Sequence, residues 1–432
     1  MFSSENWFGA SPSFYNGVAT QSLRLDNSAS SLLTRTPPAG DRKKWLWSAW
    51  IKRCDTGRDQ DLFTAEGSGA QLFSIMITDS DKIQIYGASA VLLLTSQVLR
   101  DLSAWYHIAI ASDTTQATAT NRLKLYINGS EVTSFDTDNR ASYAQDTDYG
   151  INSNVKHNIG SNQAGGNFGD YYIAEVNFID GLSFFSDTSG TANTSFNIDS
   201  FGETKNGVWI AKKYTGSYGT QGFHLEFKQT GDGSTTASST TIGADTANSN
   251  HYKDTNLDAH DSNMPDSPEN NFATLNPSYM SAGTVSEGNL RYDNSAWDQI
   301  ASTFAFSSGK WYFEVRADSY SSNESIIVGI REAGKRAYST YWHHSSWVNS
   351  QDGYVYGVQL TGTTERKITG TSKTDLSSNP NIVANSIIGI AIDLDSSTTS
   401  IKYNVDGGTF FTLFEDMEAL TYHPALNSYL AQ

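Results

Sequence analysis

Short runs in which apolar and polar residues alternate, each closed by a turn dipeptide, recur along the chain and leave little room for anything but β-structure. In Arg122–Ile127 the residues Leu123, Leu125 and Ile127 share one face while Arg122 and Lys124 share the other. Asn128-Gly129 follows at once, a two-residue hairpin signal because both turn positions need positive φ. Ile401–Val405 ends in the same way on Asp406-Gly407, with Phe410-Phe411 opening the return strand. Lys44–Lys52 sets Trp47, Ala49 and Ile51 against Leu46 and Trp50, so both faces need cover and the segment belongs inside a packed sheet. Gln71–Ile77, Trp105–Ala111, Tyr171–Ile179, Lys310–Arg316, Ile326–Ile330, Tyr354–Val358 and Ile387–Leu394 continue the pattern. In Lys310–Arg316 it places Trp311, Phe313 and Val315 against Tyr312, Glu314 and Arg316. No segment sustains a 3.6-residue apolar period, so the expected class is all-β with few, short helices.

At 432 residues the chain exceeds one ordinary core, and its strand signals fall into two blocks. Between them, Gly207–Ile210 and Phe223–Phe227 read as short strands, and Gly231–Asn250 is nearly all Gly, Ser, Thr, Ala, Asn and Asp. Taken alone, that stretch has too little apolar surface to order itself. Pro265 and Pro268 follow it. The expected organisation is therefore a sandwich over residues 1–182, a polar connector over 183–272 and a second sandwich over 273–432.

A formal charge of −17 repels nucleic acid and anionic membrane over most of the surface, and the densest basic run, Arg42-Lys43-Lys44, leads straight into a Trp-rich strand. Cys54 is the only cysteine, which excludes an intrachain disulfide and a cysteine-based metal cage. The longest apolar stretches, Ala90–Leu94 and Ile387–Ile392, fall far short of the roughly 20 residues of a membrane helix. Met1–Ala10 shows no basic segment leading into an apolar one, so the expectation is synthesis and folding in a cytoplasm without a secretory signal.

Ser22–Gly181 resembles the laminin-G/concanavalin-A-like sandwich. The resemblance rests on Ser22-Leu23-Arg24-Leu25, Trp47-Ser48-Ala49-Trp50-Ile51-Lys52, Ala104-Trp105-Tyr106-His107-Ile108-Ala109 and Leu123–Gly129. His157-Asn158-Ile159-Gly160 leading to Tyr172-Ile173-Ala174-Glu175-Val176 completes it. Thr274–Leu430 resembles a SPRY domain, another concanavalin-like sandwich, through Gly309-Lys310-Trp311-Tyr312-Phe313-Glu314-Val315, Val328-Gly329-Ile330, Ile388–Asp393 and Asp406-Gly407-Gly408. Gly207-Val208-Trp209, Tyr214–Gly219 and Asp266–Pro277 resemble segments that link such domains in structural proteins of marine tailed phages. These resemblances imply two jelly-roll sandwiches in a virion structural protein, in a tail fibre, appendage or capsid-attached fibre. The implied partners are other virion proteins, further copies of the chain, and a glycan or protein receptor on the host surface. A purely structural capsid or tail decoration subunit is the alternative, and a glycan depolymerase a third. The chain stops after Tyr429-Leu430, where the SPRY family usually adds a closing strand, so the expectation is a bare edge covered in the assembled particle.

Concanavalin-like folds also house glycoside hydrolases, which carry Glu-x-Asp-x-x-Glu on one strand with the two catalytic carboxyls about 5 Å apart. Glu175-Val176-Asn177-Phe178-Ile179-Asp180 is the nearest match. It lacks the central carboxylate and ends on a shorter acid, so the expectation is a structural strand and no enzyme. Serine-hydrolase, phosphate-loop and His-Glu-x-x-His signatures are missing. Calcium is the one cofactor considered: Asp136, Asp138, Asp146 and Asp148 offer hard oxygen donors in a loop-rich stretch, although their spacing matches no defined calcium loop. For ligand binding, Tyr338, Tyr341, Trp342, His343, His344 and Trp347 form one aromatic stretch, with Trp297 a candidate for the same rim. Aromatic faces stack on sugar rings and also populate subunit interfaces, so both roles stand open for them.

Overall fold

Strand Lys44–Arg53 shows how alternation becomes architecture: Trp45, Trp47, Ala49 and Ile51 fill the space between two sheets, while Leu46 and Trp50 face the other way into separate apolar clusters. The computed structural model describes residues 14–162, 165–182, 197–280, 282–294, 298–318, 325–334, 353–358, 365–369, 372–376 and 382–429. They fall into two units, Met1–Phe272 and Ala273–Gln432. The protein is all-β: strand pairing within the sheets is antiparallel throughout, and the helical elements among the described residues are three-residue 3-10 turns.

In the first unit, one sheet runs in the order Leu23–Leu25, Tyr171–Asp180, Lys44–Arg53, Trp105–Asp113, Leu123–Ile127 and Ser130–Glu131, with Phe223–Leu225 also paired to Tyr171–Asp180. The facing sheet runs Phe135–Asp138, Ala90–Val98, Lys82–Gly87, Phe73–Ile77, Gln60–Ala65, His157–Ile159, Leu32–Arg35 and Lys253–Thr255. Their inner faces form one apolar core, the arrangement that two alternating sheets require. Asn128 and Gly129 take φ of 48° and 77°, so the hairpin reads as its sequence predicts.

The stretch expected to be a connector is part of this unit. Phe223, Leu225, Phe227, Ile242 and Tyr252 enter the first core, and Lys253–Thr255 extends the second sheet beside Leu32–Arg35. Beyond the burial of Ile242 and Ala244, Gly231–Asn250 is ordered by hydrogen bonds. The Asp245 carboxylate accepts the backbone N–H groups of His224, Ala247, Asn248 and Asn250. The Asn250 amide donates to the carbonyls of Thr220 and Gly222. A polar segment can be fixed this way once a finished sheet supplies partners, which a tally of its own apolar residues misses.

Residues 264–272 are latched to the outward face of the first sheet. Lys52, fully buried, donates to Asp266 Oδ2 at 2.7 Å, Asn271 Oδ1 at 2.8 Å and the Phe272 carbonyl at 2.6 Å. Asp266 Oδ1 accepts the Trp105 indole N–H at 3.1 Å.

In the second unit, one sheet runs Asp298–Ala301, Tyr422–Tyr429, Ser325–Glu332, Gly353–Val358, Glu365–Thr369 and Ser372–Leu376. The other runs Lys310–Arg316, Ile387–Asp393, Ser400–Val405 and Phe411–Glu415. Phe306, Val328, Ile330, Ile388, Ile390, Ile392, Ile401 and Tyr403 lie in the core between them. The expectation of a bare edge at the chain's end is corrected here. Tyr422–Tyr429 is itself a sheet strand with partners on both sides, Asp298–Ala301 and Ser325–Glu332, so its backbone groups are already paired.

Candidate functional site

The aromatic candidates Tyr338, Tyr341, Trp342, His343, His344, Trp347 and Trp297 lie outside the described residues. The four calcium candidates are described, and each is turned toward a cation of its own. Asp136 pairs with Lys82, Asp138 with Arg140 at 2.6 Å, Asp146 with Lys43 at 3.6 Å, and Asp148 with Arg42 at 4.0 Å. Hydrogen bonds from Lys82 and from Arg140 hold the Asp136 and Asp138 carboxyls below the usual carboxylate range. Among the described residues, no group of three or more His, Cys, Asp or Glu side chains could hold a metal ion. Four separate ion pairs do not make the six- to eight-oxygen cage that calcium takes.

The outward face of the first sheet carries the groups with catalytic potential. Strand Tyr171–Asp180 contains a β-bulge: Ala174 lies opposite Trp50 and Asn177 opposite Ser48, so one extra residue is accommodated between them. Glu175 sits there at φ 49°, a conformation that costs a bulky residue energy and needs surrounding contacts to hold it. Its carboxylate meets His224 Nε2 at 2.8 Å, with both side chains about nine-tenths buried. His224 is the cross-strand partner of Asn177, whose amide oxygen accepts the Tyr218 hydroxyl at 2.7 Å. Burial pushes that phenol far above its ordinary range.

Asp180, where a hydrolase would carry its second acid, is spent on the backbone. Its Oδ1 accepts the Asp41 N–H at 2.8 Å and the Asn152 amide at 2.7 Å, and its Oδ2 accepts the Gln221 N–H at 2.9 Å. Glu175 and Asp180 thus serve different neighbours rather than flanking one reacting bond.

Ser48 and His107 offer a second catalytic resemblance, with Oγ and Nε2 2.7 Å apart. The Trp209 indole N–H, which can only donate, points at His107 Nδ1 at 3.2 Å. Nδ1 must therefore be the acceptor, which leaves the proton of the neutral ring on Nε2, donated to Ser48. A base that already holds its proton toward the serine cannot remove the serine's own. Burial also pushes His107 down to about 3, so it stays neutral across the physiological range.

His107 yields a pH prediction. Its folded value lies below the unfolded value of about 6.5, so below pH 6.5 the unfolded chain binds the extra proton and stability falls with pH. His107→Gln removes this term. Its stability deficit relative to the parent is expected to shrink by about 3 kcal/mol between pH 7.5 and pH 4.5, from about 1.4 kcal/mol per unit over two units. Urea unfolding at both pH values measures it; a deficit that stays constant would contradict the downward shift of His107, because its folded and unfolded states would then bind protons alike.

The sequence reading anticipated none of the roles of His107, His224 or Trp209. The signal for His107 was present: in Trp105–Asp113 it alternates with the core-facing Ile108 and Ile110, opposite Trp50. Trp209 and Tyr218 lie in the stretch read as a connector, so the cover they give that face had no signal.

Among solved structures, the SPRY domain of human HERC1 is similar at 14% identity and a TM-score of 0.28, over 37% of this chain and 91% of that one. A heptameric SAP-like pentraxin from Limulus polyphemus is similar at 15% and 0.29, over 38% and 77%. A putative carbohydrate binding protein from Bacteroides ovatus is similar at 14% and 0.28, over 44% and 55%. No curated protein matches the sequence. Residues 26–182, a little over a third of the chain, match the family model Laminin_G_3, described as the concanavalin A-like lectin/glucanases superfamily.

Proposed function

We propose that the chain is a non-enzymatic structural protein of a tailed-phage virion whose sandwiches bind glycan or protein on the host surface. The observation that carries the non-enzymatic part is the fate of the two candidate carboxylates. Glu175 is sealed against His224, and Asp180 is consumed by three hydrogen bonds, so neither acid of the broken hydrolase motif is free to act on a substrate. The match to a lectin/glucanase family then favours its binding half. The virion assignment is supported by the resemblance of Gly207-Val208-Trp209, Tyr214–Gly219 and Asp266–Pro277 to phage linking segments.

Density-gradient purification of particles from a lysate expressing this chain tests the virion assignment. The chain is expected in the particle band at a fixed ratio to the major capsid protein. Recovery only in the soluble fraction would contradict it.

A further inference from the structure

The outward face of the four-stranded sheet in the second unit carries the exposed side chains of Tyr312, Glu314, Lys402 and Phe410, with Asn404 buried among them. Two rows cross the sheet in register: Tyr312, Ala391, Lys402 and Thr412, and beside it Glu314, Gly389 and Asn404. Residues that pair across a sheet share a face, with neighbouring strands about 4.8 Å apart. The opposite face is core, through Ile388, Ile390, Ile392, Ile401 and Tyr403. Yet Tyr312 is 50% exposed and Phe410, its edge-on neighbour at 6.3 Å, is 41% exposed. Two large aromatics on the solvent side of a sheet ask for a partner more than scattered exposed residues do.

Gly389 shapes the middle of this face. A methyl group there would collide with Asn404 Oδ1 and come within 2.7 Å of Tyr312 Oη, so the two oxygens converge from neighbouring strands on one point. Tyr312 donates its hydroxyl proton to Glu314 Oε1 at 2.6 Å, and the Asn404 amide N–H₂ donates to the Gly408 carbonyl at 3.1 Å. The donors nearest that point are thereby engaged, while Tyr312 Oη and the Glu314 carboxylate keep accepting capacity on exposed side chains, and Lys402, also exposed, belongs to the same cross-strand row as Tyr312. A ligand complementary to this set brings several O–H donors close together, a C–H face that packs on one of the two rings, which stand at 72° to each other, and little charge. Hydroxyl-rich sugar rings meet all three demands. An apolar protein surface would leave the acceptors desolvated and unpaired, which opposes binding.

The geometry points to the Tyr312, Glu314, Asn404, Lys402 and Phe410 face as a binding platform for neutral hexose oligosaccharides, a site assignment that rests on the glycan-binding reading above. The test uses the full chain on immobilised neutral hexose hexamers (glucans, mannans and galactans), with binding curves for the parent and for Tyr312→Ala, Phe410→Ala and Tyr312→Phe. These positions are exposed, and thermal melting checks that each variant keeps the parent's fold. Retention by the parent, a tenfold or greater loss in the two alanine variants and a smaller loss in Tyr312→Phe is the expected result. Equal retention by parent and variants overturns this site and leaves the glycan reading standing. No retention of any hexamer by the parent overturns the sugar site, and binding of the parent to intact host cells then decides the broader reading on which it rests. If light scattering instead shows a parent dimer that the alanine variants dissociate, the face is a contact between copies and the sugar site is overturned.

Discussion

Lys52→Met is expected to cost the first unit about 3–5 kcal/mol, because it leaves the buried Asp266 carboxylate without its cation. The ammonium has three acceptors at 2.6–2.8 Å, and both members of the pair are nearly inaccessible to water. Burial already pushes the Asp266 carboxyl up, with Lys52 opposing it; without Lys52 the carboxyl takes up a proton to avoid a lone buried charge. Lys52→Met combined with Asp266→Asn is expected to recover part of the loss, since no unpaired charge then remains. Equilibrium urea unfolding followed by tryptophan fluorescence measures both. A loss below about 1 kcal/mol, the scale of a surface pair, would mean that residues 264–272 are not latched to the sheet in solution.

Trp47→Ala should destabilise the first unit by about 3 kcal/mol, near the low end for deleting a buried aromatic. Trp47 is fully buried between the sheets and stacked on Phe63, with ring centroids 6.0 Å apart and planes 9° apart. Its indole N–H finds no acceptor among the described residues, so removing it also relieves a desolvated donor, which trims the loss. The described core of the second unit contains no residue of the first, so calorimetry is expected to show one transition moving and another staying in place. A uniform shift of the whole transition would contradict the division into two cores.

Strands whose side chains alternate against a core were legible from the sequence. Leu123, Leu125 and Ile127 point inward as their spacing required, and Asp406-Gly407 turns at φ 51° and 70°. What the sequence concealed depends on partners distant along the chain. Gly231–Asn250 looks unfoldable in isolation, because the groups that fix it, such as the backbone of Thr220 and Gly222 and the Arg35 guanidinium that donates to Asn250, lie elsewhere. Tyr422–Tyr429 reads as a terminal edge until Asp298–Ala301 is seen on its outer side. Glu175 and Asn177 were legible as a broken catalytic motif, yet nothing local announced His224 or the bulge that brings Glu175 to it. In Lys310–Arg316 the alternation placed Tyr312 and Glu314 together on one face, but their exposure followed only from the fold.

The proposed role is that of a sandwich protein that binds host-surface glycan or protein and cuts no glycan. The most direct test incubates the full chain with host-surface polysaccharide and measures new reducing ends over time. None is expected above the buffer control, with the parent chain or with Glu175→Gln. Reducing ends that accumulate with the parent chain and disappear with Glu175→Gln would contradict it, because they would make the carboxylate sealed against His224 a working catalytic acid.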